Sequence, residues 1–126
     1  MEDYLISDFK NDEMDKECID LCNAINRIPG LRTFESCCGH DKRGYKVFFM
    51  VDNMKYFSIL LYYIVPCHVG FEWFCEAETD CGMSPVTFRL HSGDEIGKEA
   101  YKQADIIAEK INQFMDTDFD DFPEER

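Results

Sequence analysis

The chain lacks a long hydrophobic run, an excess of basic residues and a basic amino-terminal segment. Its most apolar run, 56–65, is shorter than the roughly 18 residues that would cross a membrane as a helix. Residues 1–4 are acidic, which is atypical of a signal peptide. A broad DNA- or RNA-binding face needs positive charge, whereas the net charge here is −13. We therefore expect a cytoplasmic protein without direct contacts to nucleic acid or membrane.

An even set of cysteines with an export signal, as in a disulfide-stabilised secreted domain, is also missing. The seven cysteines form an odd set, and several fall where a helix or strand core would place them. Reduced cysteine behaves as a small buried hydrophobe. The cysteines therefore predict free thiols in a reducing compartment.

What the chain has is enough apolar surface for one core. Its 126 residues are 45% hydrophobic and 14% aromatic, so a disordered chain is excluded and a second core is not expected. The acidic charge lies at the ends, with 8 acidic and 2 basic groups in 1–20 and 6 acidic and 1 basic in 116–126. We predict a single α+β domain over 1–115, with a mobile arm at 1–10, and an acidic tail at 116–126.

Apolar spacing predicts three helices. The first begins at a cap, Asn11 or Asp12, and ends near Ile28. The second covers 54–65, follows a cap at Asp52 or Asn53 and ends at Pro66. The aromatic and β-branched residues at its end are also compatible with a strand. The third is capped by Ser92-Gly93-Asp94. Its apolar stripe consists of Ile96, Ala100, Ala104, Ile107, Ile111 and Phe114.

Four segments with alternating side chains predict strands at 32–37, 45–51, 69–79 and 86–91. The lone Trp73 falls on the inward face of the third segment. Hairpins alternate with helices in the order αββαββα. This order predicts one four-stranded antiparallel sheet with helices packed on one face.

The densest chemistry follows the first strand, in the turn Glu35-Ser36-Cys37-Cys38-Gly39-His40. Glycine there permits a tight turn or a close approach to a ligand, and Lys42, Arg43 and Lys46 make 32–46 locally basic. A second Cys-Gly turn, Asp80–Pro85, follows the third strand. We predict that it lines the same ligand-binding pocket as the first turn, or an equivalent pocket related to it by symmetry. The predicted ligand-binding residues are Thr33, Glu35, Ser36, Cys37, Cys38, Gly39, His40, Lys42, Arg43, Asp80, Cys81, Met83 and Ser84.

Three other interpretations of the first turn stay open. Cys37 or Cys38 with His40 would form a zinc site if joined by Cys67, His68, Cys81 or His91, although the spacing matches no standard motif. Cys38 and His40 would form a nucleophile–base pair if the ring lay beside the sulfur. The turn would otherwise be a thiol-rich hairpin end packed under its neighbours. The favoured interpretation assigns no catalytic residue, metal ligand or cofactor.

Two resemblances bear on function. The residues Thr33, Ser36, Cys37 and Gly39 match a signature of the wybutosine-synthesizing tRNA methyltransferase family, which the chain resembles over about 18–52, with departures at Glu35, Cys38 and His40. The turn at 35–40, the loop at 80–85 and the last helix together resemble small phage and prophage proteins over most of 14–112. The second resemblance implies an accessory role in a phage-infected cell.

These observations yield three functional hypotheses. The first is a non-enzymatic phage-type protein that binds a small anionic, nucleotide-like ligand in the host cytoplasm, as a homo-oligomer or a monomer, and so sequesters a host immune signal. The second is an acidic inhibitor that occupies the basic groove of a nucleic-acid-binding host protein. The third is a zinc-dependent or methyl-transferring enzyme.

Overall fold

The computed structural model describes residues 14–78 and 86–122. The predicted arm at 1–10 and the loop Asp80–Pro85 lie outside these ranges. The predicted start of the first helix after Asn11 or Asp12 is wrong, because the helix begins at Lys16 and its N-cap is Asp15. Within them the chain forms helix α1 (Lys16–Arg27), strands β1 (Leu31–Cys37) and β2 (Gly44–Val51), a 3₁₀ turn (Met54–Tyr56), helices α2 (Phe57–Tyr62) and α3 (Pro66–Val69), strands β3 (Phe74–Glu78) and β4 (Val86–Ile96), helix α4 (Gly97–Thr117) and a second 3₁₀ turn (Phe119–Asp121).

The four strands form one antiparallel sheet in the order β1-β2-β4-β3. This confirms the predicted α+β class with a four-stranded sheet. A β-bulge between Thr33 and Glu35 interrupts the pairing of the edge strand β1 with β2. The second irregularity, between Gly44 and Lys46, lies where β2 meets the end of β4.

A single core lies between the sheet and the helices. Alternate residues of β2, among them Tyr45, Val47 and Phe49, are fully buried. Phe49 contacts Phe57 of α2 through their rings, at 5.9 Å between centroids, while Tyr45 contacts Tyr101 of α4 at 6.4 Å. These helices therefore cover the same sheet face. Each large side chain buried there contributes about 1.5–3 kcal/mol.

The predicted apolar stripes of the first and last helices are largely confirmed, but Ile96 ends β4 and is 44% exposed. Their buried members are Cys18, Leu21, Ile25, Ala100, Ala104, Ile107 and Ile111. Trp73 is a core residue, 2% exposed, and its indole Nε1–H donates to Gln103 Oε1 at 2.7 Å. The buried indole therefore has the polar partner that its burial requires.

The predicted helix at 54–65 is wrong in length. It is divided into the 3₁₀ turn, capped by Asn53 Oδ1, and α2, which ends at Tyr62. The carbonyl of Ile64 instead accepts from the backbone N–H of Trp73 at 2.9 Å. Pro66 begins α3 rather than only stopping a helix, because its missing N–H has no cost at a first helical position.

The predicted strand at 69–79 is correspondingly shorter at its start. Val69 belongs to α3, and Gly70 ends that helix in the left-handed conformation, with φ of 88°. Strand β3 begins only at Phe74, because the backbone N–H of Trp73 is already used by Ile64.

The predicted helix cap at Ser92-Gly93-Asp94 is wrong. These residues continue β4 to Ile96, and α4 begins at Gly97. The hydroxyl of Ser92, which is 2% exposed, accepts from Tyr45 N at 2.9 Å and donates to the carbonyl of Glu95 at 2.8 Å. The Ser92 hydroxyl therefore stabilises the sheet and does not cap a helix.

The first part of the predicted acidic tail is ordered secondary structure. Helix α4 continues to Thr117 and is followed by the second 3₁₀ turn. Asp116 accepts from Arg27 at 2.7 Å, and the rings of Phe119 and Phe122 each lie 5.2 Å from that of Tyr56. Residues 123–126 lie outside the described part.

None of the helices in the described ranges is long and apolar enough to span a membrane.

The buried thiols of α1 predict a loss of stability at alkaline pH. Burial raises the pKa of Cys18 to about 12 and that of Cys22 to about 11, from 9.0. Since these pKa values are raised, the neutral thiols contribute fully to the stability of the fold below pH 9.0. This contribution is lost as pH rises toward 11 and 12. The slope should reach at most about 1.4 kcal/mol per pH unit for each thiol. Urea unfolding at a series of pH values measures this loss.

A variant isolates the thiol contribution from other alkaline titrations. Cys22→Ala should be less stable at neutral pH, because it leaves a small cavity, but its stability should fall less steeply above pH 9.0. Equal slopes for the variant and the parent chain would contradict this prediction.

Candidate functional site

The turn between β1 and β2 has an unusual left-handed backbone. Three consecutive residues have positive φ angles, which are 86° at Gly39, 53° at His40 and 67° at Asp41. The carbonyl of Gly39 accepts from the backbone N–H groups of Lys42 and Arg43, at 2.9 and 3.0 Å. Such conformations are costly for residues other than glycine and concentrate at functional sites.

Two helices hold this turn from either side, each near its amino terminus. Asp15, the residue before α1, accepts from the backbone N–H of Cys38 at 2.9 Å. Asp41 accepts from the hydroxyl of Tyr101 at 2.9 Å and lies beside Gly97, the first residue of α4. Each carboxylate therefore sits where a helix dipole favours negative charge.

The imidazole of His40 lies between a thiol and a carboxylate. Its Nδ1 is 3.8 Å from Cys38 Sγ, and its Nε2 is 3.8 Å from Asp15 Oδ2. Cys37 completes a group in which donor atoms of Asp15, Cys37 and His40 all lie within 4.8 Å of one another. This group is a potential metal-binding set.

Backbone N–H groups point at both sulfurs. Gly39 N–H donates to Cys37 Sγ and His40 N–H to Cys38 Sγ, each at 3.4 Å. These contacts fix the positions of the two sulfur atoms relative to the turn.

The two thiols nevertheless differ in environment. Cys38 is 3% exposed, and burial raises its pKa, the principal cause of the shift. Its neighbour Tyr101 has a raised pKa because its hydroxyl hydrogen-bonds Cys38, with smaller contributions from burial and then from Asp41. Cys38 lies beside His40, as a nucleophile–base pair requires, but its burial keeps the thiol neutral. This disfavours thiol catalysis at Cys38.

Three predicted site residues point elsewhere. Thr33 is fully buried, and its hydroxyl and N–H both bond the side chain of Asn26, at 2.9 and 2.8 Å. Ser36 faces the core and hydrogen-bonds the thiols of α1. Glu35, opposite Phe48, is exposed on the sheet face away from the helices. Thr33 and Ser36 therefore support the fold rather than a ligand.

The predicted cations surround the turn. Lys42 and Arg43 are exposed within it. Lys46 begins the regular pairing of β2 with β1, opposite Cys37. These three side chains give the turn its basic character in an acidic chain.

The second Cys-Gly turn, with Asp80, Cys81, Met83 and Ser84, lies outside the described residues. Two strand residues flank this loop: Glu78 pairs with Thr87, and Val86 pairs with Val51 at the end of β2. At the other end of β2, Lys46 pairs with Cys37 of β1 and with His91 of β4. The flanks of the two Cys-Gly turns are therefore at opposite ends of the sheet.

Among the described residues, the other candidates for a zinc site, Cys67, His68 and His91, do not join Cys37 and His40 in a common donor cluster. His68 in α3 stacks on Tyr62 with ring centroids 3.6 Å apart, and Cys67 beside it is exposed. His91 lies 3.3 Å from Glu76 on the open sheet face. The carboxylate that joins Cys37 and His40 is instead Asp15, which the sequence interpretation missed.

Two concave surfaces lie away from the turn. A cavity of about 480 Å³ between α2 and the end of α4 is lined by aromatic rings, including Tyr62, Tyr63 and Phe114. An acidic groove of about 620 Å³ runs between α1 and α4. Neither is lined by a predicted ligand-binding residue.

The backbone of the turn requires glycine at position 39. A Cβ atom there would lie 2.0 Å from the carbonyl oxygen of Arg43, whereas at Gly70, which also has a positive φ, it would meet nothing within 4 Å. We expect Gly70→Ala to lower the free energy of unfolding by about 1–2 kcal/mol, the left-handed penalty alone. Gly39→Ala should lower it by about 3 kcal/mol or more. Urea denaturation compares the two; equal losses would refute the packing argument.

No protein-family model, curated protein or solved structure matches this chain. The chemistry of the turn therefore carries the functional conclusion.

Proposed function

We propose that the chain is a non-enzymatic binding protein that takes a small anionic, nucleotide-like ligand at the turn between β1 and β2. The observation that carries this proposal is the trio Lys42, Arg43 and Lys46. Within 14–78 and 86–122 none of these side chains has an ion pair or a hydrogen bond to another group, although the chain has twice as many acidic as basic residues. Unpaired cations beside a tight turn suit phosphate or carboxylate groups.

The nearby carboxylates do not cancel this attraction completely. Asp15 and Asp41 already accept hydrogen bonds from Cys38 N–H and from Tyr101, respectively. Each also lies near a helix amino terminus, whose partial positive charge offsets part of its own. Among the described residues, no comparable partner is found for the side chains of Lys42, Arg43 and Lys46.

The neutral form of the Cys38 thiol is consistent with a ligand that binds without reacting. Cys38 is the sulfur beside an imidazole, and its burial and raised pKa favour the unreactive thiol form. A protein that holds a small signal molecule intact would lower its free concentration. The resemblance to phage proteins implies an accessory role without a known chemistry, and sequestration of a host immune signal is one such role.

Isothermal titration calorimetry against cyclic nucleotides and nicotinamide-derived signals tests this proposal, and S-adenosylmethionine, which is a cation, tests the enzyme alternative. We expect one class to bind with Kd below about 1 mM, that is, more favourably than about −4.1 kcal/mol. The double change Lys42→Glu and Arg43→Glu should weaken binding by at least about tenfold, since two attractive charges become repulsive. The ligand should be recovered unaltered by chromatography.

The matched control is Lys110→Glu, which reverses one charge at an exposed position nine residues beyond Tyr101 on α4. It should leave the affinity unchanged. The proposal fails if no compound binds in the submillimolar range. It also fails if the double variant at positions 42 and 43 binds the ligand as tightly as Lys110→Glu does. Conversion of S-adenosylmethionine would favour the enzyme alternative instead.

A second candidate function rests on the acidic groove. Asp20, Asp105, Glu109 and Asp116 line it, and the pKa of Asp105 is raised by burial and then by the charge of Asp20. Because these carboxylates repel one another, a lysine or arginine side chain entering the groove would be stabilised. This supports the alternative of an inhibitor that docks on a basic host protein.

Fluorescence anisotropy with a lysine-rich peptide tests this alternative. Asp20→Asn combined with Glu109→Gln should weaken peptide binding by several fold at low ionic strength, while Glu72→Gln, on an exposed residue outside the groove, should have little effect. Equal weakening by both would indicate only nonspecific attraction to a net charge of −13 and would reject the groove.

A further inference from the structure

We propose that Asp15, Cys37 and His40 form a binding site for a divalent ion of the zinc class, with a fourth coordination position left open. The three donor atoms lie within 4.8 Å of one another. Cys37 ends β1 and His40 lies three positions later in the left-handed turn, while Asp15 is the residue before α1. The tertiary structure therefore brings Asp15 to a cysteine and a histidine that are already close in sequence.

The distances suit a small metal ion after a minor closure. Zinc binds sulfur at about 2.3 Å and nitrogen or oxygen at about 2.0–2.2 Å, so tetrahedral donors stand about 3.3–3.8 Å apart. His40 Nε2 is already 3.8 Å from Asp15 Oδ2, and the His40 side chain is 60% exposed and free to adjust. Shifts of about 1 Å among the three side chains, which now have their donor atoms within 4.8 Å of one another, would bring the donors to bonding positions.

The chemical character of the donors selects among metals. Thiolate and imidazole together favour zinc or a similar transition-metal ion and disfavour magnesium and calcium, which prefer oxygen ligands. One thiolate and one carboxylate would neutralise a doubly charged ion. The site is therefore electrically balanced without further protein groups.

Each donor also has a partner that orients it, as metal ligands in proteins usually do. Cys37 Sγ accepts from Gly39 N–H at 3.4 Å, and Asp15 Oδ2 accepts from Cys38 N–H at 2.9 Å. The Nδ1 atom of His40 lies 3.8 Å from Cys38 Sγ, which leaves Nε2 directed toward Asp15. The metal would bind His40 through Nε2.

This geometry divides the roles of the two adjacent cysteines. Cys37 is partly exposed and belongs to the donor group. Cys38 is buried and contacts the hydroxyl of Tyr101 at 3.7 Å, so it orients His40 rather than binding the ion.

Three protein ligands leave one tetrahedral position for water or for an oxygen atom of an anion. Lys42 and Arg43 follow directly in the turn. The site would thus supply a further attraction for the anionic ligand proposed above, but metal binding itself does not depend on that ligand.

The experiment measures zinc on the full chain purified without chelator, by atomic spectrometry and by competition with a chromophoric chelator, with no nucleotide present. We expect a single bound equivalent. Asp15→Asn, Cys37→Ser and His40→Asn should each weaken zinc binding by more than the roughly 10–100-fold typical of changes to orienting partners. Asn is chosen at 40 because it tolerates a positive φ, and Asp15→Asn keeps an acceptor for Cys38 N–H.

Matched controls are Cys67→Ser and His68→Asn, which alter the same residue types in α3 and should retain zinc. Cobalt substitution gives an independent readout, because a thiolate ligand produces a charge-transfer absorption band. We expect this band in the parent chain and in Cys38→Ser, and its loss in Cys37→Ser. Circular dichroism of each metal-free variant checks that it is folded.

The proposal is overturned if the parent chain binds no zinc, or if Cys37→Ser and Asp15→Asn bind it as tightly as the parent. It is also overturned if Cys38→Ser, and not Cys37→Ser, removes the cobalt band. Because no nucleotide is present, these outcomes are separate from success or failure of the ligand titrations.

Discussion

The arrangement of the site depends on one buried hydroxyl. Ser92 accepts from the backbone N–H of Tyr45 and donates to the carbonyl of Glu95, so it joins the start of β2 to the irregular end of β4. A Cβ atom at Gly44 would lie 2.8 Å from the carbonyl oxygen of Gly93, which shows how closely the two chains approach. This junction sets where α4 begins, and hence where Tyr101 reaches the turn. An unsatisfied polar group at such a buried position would be costly.

The turn itself is held by contacts of several kinds that reinforce one another. Tyr45, directly after the turn, is buried beneath it and donates from its hydroxyl to the carbonyl of Glu17 in α1 at 2.5 Å. Its ring contacts Trp73 at 5.2 Å, which connects the turn to the core. The left-handed residues are therefore kept in place by packing below and by carboxylates at either side. A binding site held in this way requires little reorganisation when a ligand arrives.

Local patterns were sufficient to predict most of the architecture, because helix stripes and strand alternation express which face is buried. The stripe Cys18, Leu21, Ile25 and the alternation of β2 are such cases. The helix cap at Ser92-Gly93-Asp94 was predicted wrongly because a serine before a glycine suits a helix cap as well as it suits a strand. The hydrogen bond from the distant Tyr45 determines the role of the Ser92 hydroxyl. Likewise the turn was identified as chemically rich, but Asp15 and Tyr101 join it through contacts across 23 and 63 residues, which no local spacing encodes.

The edges of the sheet limit how copies of this chain can associate. Strand β1 carries a bulge between Thr33 and Glu35, and β3 is only five residues long, with Glu76 and Glu78 engaged by Arg89. Bulged or short, charged edge strands resist the addition of another strand. The described edges therefore disfavour extension of this sheet by a second copy. They favour association through helices or turns, where side chains rather than backbone hydrogen bonds determine which partners fit.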